Sequence, residues 1–320
     1  MFTVFLRTSA IFLMMAFGFA LRRRGRIDDE FNRQLSFVLV SVFYPALILA
    51  SIVRNFTARA LLANWTLPAG VFGVMLAGWA AGLACRPLLR QRPERTRRTF
   101  HFMCAVNNYS FLPIMVVASM WGDDAVARVA FSSLGAEVFV WTIGLQALTG
   151  HRVEPAALRH LLTMPMLALA GALAVLTAQA GLHAAGFELA GRAPRAAAAL
   201  GTLLNTLHVT GQATIPVSAI ICGARVASIR ADHVLSPLMA GLAALRLAAI
   251  PALAIVLLRA AHLAPENYRV LAVIAVQPVA MASVTMSEIY DGDAGLAAAA
   301  VLVTHVLCLV TIPLWLRAAV

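Results

Sequence analysis

Ten runs of about 20 mostly apolar residues take up almost the whole of this 320-residue chain. They fall at roughly 2–21, 34–53, 65–85, 100–119, 126–149, 160–182, 198–221, 235–258, 268–289 and 294–317. A run of that length crosses the hydrocarbon of a bilayer once, and it does so as a helix, because no water is present there to satisfy open backbone groups. The expected fold is an all-α membrane protein with ten transmembrane helices. A content of 61% hydrophobic and 12% charged residues agrees, lying outside the range of soluble domains. The first run is followed, not preceded, by Arg22-Arg23-Arg24. A cleaved signal peptide has the opposite order, so this run is expected to remain as a span.

The chain also repeats itself. Gly122-Asp123 recurs as Gly292-Asp293 and Asn107 falls on Gln277, both 170 residues on; Pro45 falls on Pro216 at 171 and Pro68 on Pro237 at 169. Each pair occupies the same place in a matching run. Residues 1–150 and 151–320 are therefore expected to be two similar halves of five spans each. Five is odd, so the second half would enter the membrane from the opposite side, which makes the repeat inverted. Folds of this kind hold substrate near the midplane, where discontinuous helices from the two halves meet.

All 25 basic residues are arginines, and the net charge is +11. Loops 22–33, 86–99, 150–160 and 224–232 carry 15 of them, five, six, two and two in turn. These loops alternate along the chain, so the positive-inside rule puts both termini on the periplasmic or extracellular side of a bacterial inner membrane. Arginines beside spans meet anionic headgroups and need no nucleic acid to explain them. Cys85, Cys104, Cys222 and Cys308 lack CxxC spacing, so neither a disulfide framework nor a metal site is expected. Nucleotide, metalloprotease and nucleophile-elbow motifs are absent and every aspartate lies in a loop, so no enzyme and no cofactor is expected.

The fourth run reads His101-Phe-Met-Cys-Ala-Val-Asn-Asn-Tyr-Ser-Phe-Leu-Pro113. Asn107 and Asn108 lie in mid-span, where an unpaired amide is costly, and Pro113 frees the carbonyl of Tyr109. The ninth run repeats the plan with Gln277-Pro278 in place of the asparagine pair. Its proline is out of register: Pro113 aligns with Ser283, and Pro278 with Asn108. Both helices are expected to break here, with Pro45 and Pro216 bending the second and seventh.

These residues resemble the auxin efflux carrier family, which includes bacterial permeases. Asn107-Asn-Tyr-Ser-Phe-Leu-Pro113 followed by Val138-Phe-Val-Trp-Thr-Ile-Gly144 is similar to its first half. Gln277-Pro-Val-Ala, Ser287-Glu-Ile-Tyr290 and Leu309-Val-Thr-Ile-Pro-Leu-Trp315 are similar to its second. The resemblance implies ten helices in two inverted five-helix repeats, with broken, crossing fourth and ninth helices. It also implies a small organic anion as substrate, auxin in plants and dicarboxylates such as malonate or malate in bacteria. Ser110 stands where the family usually carries glycine.

A carboxylate at the midplane needs donors and positive potential, and half-helix N-termini supply both. Such termini are expected near Tyr109–Pro113 and Val279–Ser283, with Asn107, Asn108 and Gln277 donating from side chains and Ser283 adding a hydroxyl. Glu137 either carries a proton or pairs with Arg246 or another polar neighbour. His208 and Gln212, one turn apart, are expected to face the crossing; His208 either serves proton coupling, since imidazole titrates near neutrality, or is a hydrogen-bonded core histidine. Glu288 either guards an exit or is simply solvated, and His305, alone on an apolar span, reads as structural.

The resulting expectation is a secondary transporter moving a mono- or dicarboxylate by alternating access, in the lipid bilayer, alone or as a homodimer. The alternative is a sodium-coupled organic anion symporter of the bile-acid symporter type.

Overall fold

A computed structural model describes residues 2–151, 162–187, 189–228, 234 and 236–319. Residues 152–160 of loop 150–160 and 229–232 of loop 224–232 lie outside the described residues. Among those described, seven helices are long and apolar enough to cross a membrane. After α1 (Phe2–Arg23) come α2 (Asp29–Asn55) and α3 (Ala58–Ala84). The next apolar run is divided into α4 (Glu94–Ala105) and α5 (Phe111–Trp121). Then follow α6 (Asp123–Thr149), α7 (Met164–Ala184), α8 (Pro194–Ser228) and α9 (Pro237–Ala260). The ninth run is likewise divided, into α10 (Pro265–Ala275) and α11 (Ala282–Ile289), and α12 (Ala294–Ala319) closes the chain.

Local chemistry explains most of these boundaries. Asp28 starts α2 by accepting the Phe31 amide at 2.7 Å, and Ser236 starts α9 by accepting that of Met239 at 3.2 Å. Gly122, at φ 74, takes the left-handed turn between α5 and α6 that a side chain would oppose. The expected seventh span is the longer α8, interrupted at Ala213 just before Pro216, whose missing N–H frees the Gln212 carbonyl. In α2 the helix widens to a π-turn at Leu39–Phe43 and resumes at Tyr44-Pro45. The same device recurs in α9, with a π-turn at Leu245–Ala249 ahead of Ile250-Pro251. Pro251 frees the Leu247 carbonyl, which then accepts the Trp315 indole N–H at 2.8 Å.

Large apolar side chains divide by depth. Phe102, Met103, Leu112, Ile114, Phe139 and Leu271 are fully buried, while Leu13, Phe37, Trp65, Val256 and Val310 are exposed on the outer faces. An exposed stripe of this kind faces acyl chains in a bilayer, where it costs nothing. A recess of about 900 Å³ between Leu88, Phe100, Gly241 and Trp315 is apolar and belongs to this outer surface rather than to a polar site.

Each divided helix is anchored at its outer end by the other half of the chain. At the start of α4, Arg95 donates to the carbonyls of Asp291 and Gly292, and the Thr96 hydroxyl donates to the Asp293 carboxylate at 2.7 Å. At the start of α10, Asn267 accepts from Arg128 at 2.7 Å and donates to Asn64 at 2.8 Å. The repeated Gly-Asp turns therefore sit beside these two anchors. Asp293 also caps α12 by accepting the Leu296 amide at 2.9 Å.

Candidate functional site at the helix crossing

The segments between the half-helices meet as two short antiparallel strands of chain. Asn107 and Val279 form a β-bridge, with the Asn108 amide donating to the Pro278 carbonyl at 2.9 Å and the Ala280 amide to the Val106 carbonyl at 3.3 Å. At about 1.5 Å per residue α4 and α10 rise roughly 16–18 Å, half the hydrocarbon thickness, so this bridge sits at mid-depth. Gly78 lets α3 approach here; a Cβ at that position would come within 2.3 Å of the Cys104 carbonyl oxygen.

Backbone diverted into a bridge leaves helical carbonyls open, and at this depth each must find a donor. Pro278 cannot donate to the Ile274 carbonyl, which accepts the Asn107 amide nitrogen instead. The Val273 carbonyl takes the Gln277 side-chain nitrogen at 2.8 Å. Because Asn108 and Val279 turn their amides elsewhere, the carbonyls of Cys104 and Ala275 remain. Arg246 supplies both, Nη1 to Cys104 at 2.9 Å and Nη2 to Ala275 at 3.0 Å, while its Nε reaches the Gln277 carbonyl at 3.2 Å.

Arg246 is fully buried on the π-turn of α9, and no carboxylate pairs with it among the described residues. Its counter-charge is the negative end of two helices. Each C-terminus carries about half a negative charge, so two converging ends match one guanidinium. From sequence, Arg246 stands inside a span as one possible partner for Glu137. The signal that could have found it was present: a lone arginine in a span of mean Ala/Leu character is a functional residue until shown otherwise.

Asn107 and Gln277 each commit one side-chain N–H to a backbone carbonyl and keep a second, and the reverse orientation would set oxygen against oxygen. They also leave open Oδ1 and Oε1, both buried without a partner, as is the Ser283 hydroxyl. The crossing therefore presents acceptors as well as donors. Asn108 lies 3.5 Å from His305 Nε2, whose Nδ1 is 2.8 Å from the Val301 carbonyl. That contact places the hydrogen on Nδ1 and leaves Nε2 to accept from Asn108. His305 is thus in the polar group at the crossing, next to Thr304, whose hydroxyl receives the Val279 amide at 3.3 Å.

Backbone amides add further donors. α5 starts at Phe111 and α11 at Ala282, directly beyond the bridge, and neither has a side-chain cap. Pro113 lies in the first turn of α5, where its N–H would have had no helical partner, so it shapes the restart rather than the break. Pro278 lies within the second break. Ser110 has φ −121, accessible to any residue, so the glycine usual in the family is not needed.

Other expected residues make contacts of their own. The Tyr109 hydroxyl donates to Glu137 at 2.8 Å, and the Trp141 indole donates to the same carboxylate at 3.0 Å. Glu137 therefore does not pair with Arg246. His208 is hydrogen-bonded within α8 to Gln212 at 3.0 Å and lies 3.6 Å from Asp123, beyond the far end of α5; Gln212 and Pro216 are exposed. The expected orientation of this pair toward the crossing is not found: His208 lies against Asp123 and Gln212 is exposed. Glu288 is exposed and lines two adjoining recesses, one with Arg95 and Thr96 and the other with Arg33 and Arg225. The second recess, about 400 Å³, reaches Met281 and Val284 of α11 and Val301 of α12, one turn from His305.

No group of three or more histidine, cysteine or acidic residues poised for a metal occurs among the described residues. No curated protein matches the chain. A family model described as "Membrane transport protein" matches residues 3–178 and 188–316, and by that match the chain belongs to this family, the auxin efflux carrier family of membrane transporters.

Proposed function

We propose that the protein is a secondary carrier moving a small mono- or dicarboxylate, malonate- or malate-like, across the bacterial inner membrane by alternating access. Adding α1 and the two divided pairs to the seven long helices makes ten, read as two inverted repeats, 1–150 and 151–320, with both termini periplasmic. The observation that carries the reading is the pairing, at one crossing, of two uncapped half-helix N-termini with the buried, unpartnered oxygens of Asn107, Gln277 and Ser283. The amides of the two N-termini and the Ser283 hydroxyl donate to a carboxylate. The Asn107 and Gln277 oxygens accept a hydrogen bond from the same substrate, from a hydroxyl or a protonated second carboxyl. A hydroxy acid or half-protonated dicarboxylate fits this set better than a simple monocarboxylate. Glu137 and His208, neither of which lies in this polar group, are at most remote contributors to proton coupling.

Sodium coupling is a second reading, favoured by one feature: two carbonyl-type oxygens in a dry site are ligands for a hard cation. Uptake of labelled mono- and dicarboxylates into proteoliposomes, with proton and sodium gradients imposed separately, separates the two. Asn107→Leu or Gln277→Leu is expected to abolish uptake while expression persists. Normal uptake by either variant would remove the crossing as the site.

A further inference from the structure

The 400 Å³ recess beside Glu288 contains more than access to the crossing. It is lined from α2 by Asp29, Asn32 and Arg33, from α8 by Arg225, and from α11 by Thr285 and Glu288. Two of its charges are already satisfied: Asp29 is held by Arg22 at 2.6 Å and Arg33 by Glu30 at 2.7 Å. Arg225 is half-buried and, among the described residues, has no ion-pair partner. Asn32 is 8% exposed, yet its side-chain amide makes no hydrogen bond and its Oδ1 is sealed from solvent. The Asn32 Nδ2 and the Arg225 guanidinium are thus two donors without protein partners on side chains that line one recess, which marks a place for a ligand that accepts hydrogen bonds.

We propose that this recess is a second carboxylate site, a waiting position in which Arg225 and the Asn32 amide hold the substrate before or after it reaches the crossing. The proposal rests on the carrier reading above. A guanidinium and an amide N–H match the two oxygens of one carboxylate, and the volume suits a single small acid. Glu288 lines the same wall and competes for Arg225, so it opposes occupancy.

The test is uptake into oriented proteoliposomes, measured from each face with the acid that the unaltered protein carries. Arg225→Gln and Asn32→Leu should each raise the concentration for half-saturation from the Arg225 face, the former about tenfold, with much less change from the other face. Arg225→Lys should recover most of the loss, and Glu288→Gln should act in the opposite direction. Asn107→Leu, by contrast, should abolish uptake from both faces. Unchanged half-saturation in Arg225→Gln and Asn32→Leu, with Asn107→Leu inactive, would overturn this site and leave the crossing intact. A lipid phosphate offers similar oxygens. If raising the anionic lipid fraction mimics Arg225→Gln, the occupant is a headgroup and the proposal fails. Carriage of no carboxylate by the unaltered protein would overturn the carrier reading and this site with it.

Discussion

Arg246 is the residue on which the crossing depends most directly. Its three donors complete the carbonyls of Cys104, Ala275 and Gln277, each of which would otherwise be open in a dry interior. An unsatisfied buried polar group costs about 1–3 kcal/mol. Arg246→Met is therefore expected to lower thermal stability in detergent by several kcal/mol and to abolish uptake. Arg246→Lys keeps the charge but offers no planar fork, and should fall between the two. An unchanged melting midpoint and unchanged uptake in Arg246→Met would show that the carbonyls find other donors. Removing the guanidinium also leaves the negative ends of α4 and α10 facing the site, which disfavours an anion there.

At the scale of the element, two prolines that look alike in sequence do different work. Pro278 leaves the Ile274 carbonyl for Asn107, tying one broken helix to the other. Pro278→Ala restores an N–H able to close the helix onto that carbonyl, in competition with Asn107. The expected outcome is a protein at least as stable but with uptake reduced tenfold or more, measured side by side with the parent. Pro113 replaces an N–H that had no helical partner, so Pro113→Ala should change uptake by less than about threefold. Equal effects from the two substitutions would refute this assignment. The mid-span amides and prolines made both breaks readable from sequence. Which end of each amide faces the site was not readable, because that depends on carbonyls brought from the other half of the chain.

Across the whole molecule, the recurrent Gly-Asp turns mark where each half grips the other. Their two members are not equal in bonding. Asp293 caps α12 and accepts from Thr96, whereas Asp123 is half-exposed with His208 as its contact at 3.6 Å. Asp293→Ala should cost about 1–2 kcal/mol of stability through the lost cap and the stranded hydroxyl. Asp123→Ala should stay within about 0.5 kcal/mol, as surface substitutions usually do. Thermal unfolding of both variants in the same detergent checks the pair; a larger loss from Asp123→Ala would reverse the assignment.

Hydropathy by itself determined that this chain is helical and lives in a bilayer, since backbone without water has few other options. Proline and amide placement by itself located the two interruptions. Tertiary structure alone decided the long-range partners: Arg246 to two helix ends, His305 to Asn108, Glu137 to Tyr109, and His208 away from the crossing. The physical reason is distance along the chain. Periodicity and local backbone chemistry act over a few residues, whereas these contacts join groups separated by up to 197 residues and exist only once the helices have packed.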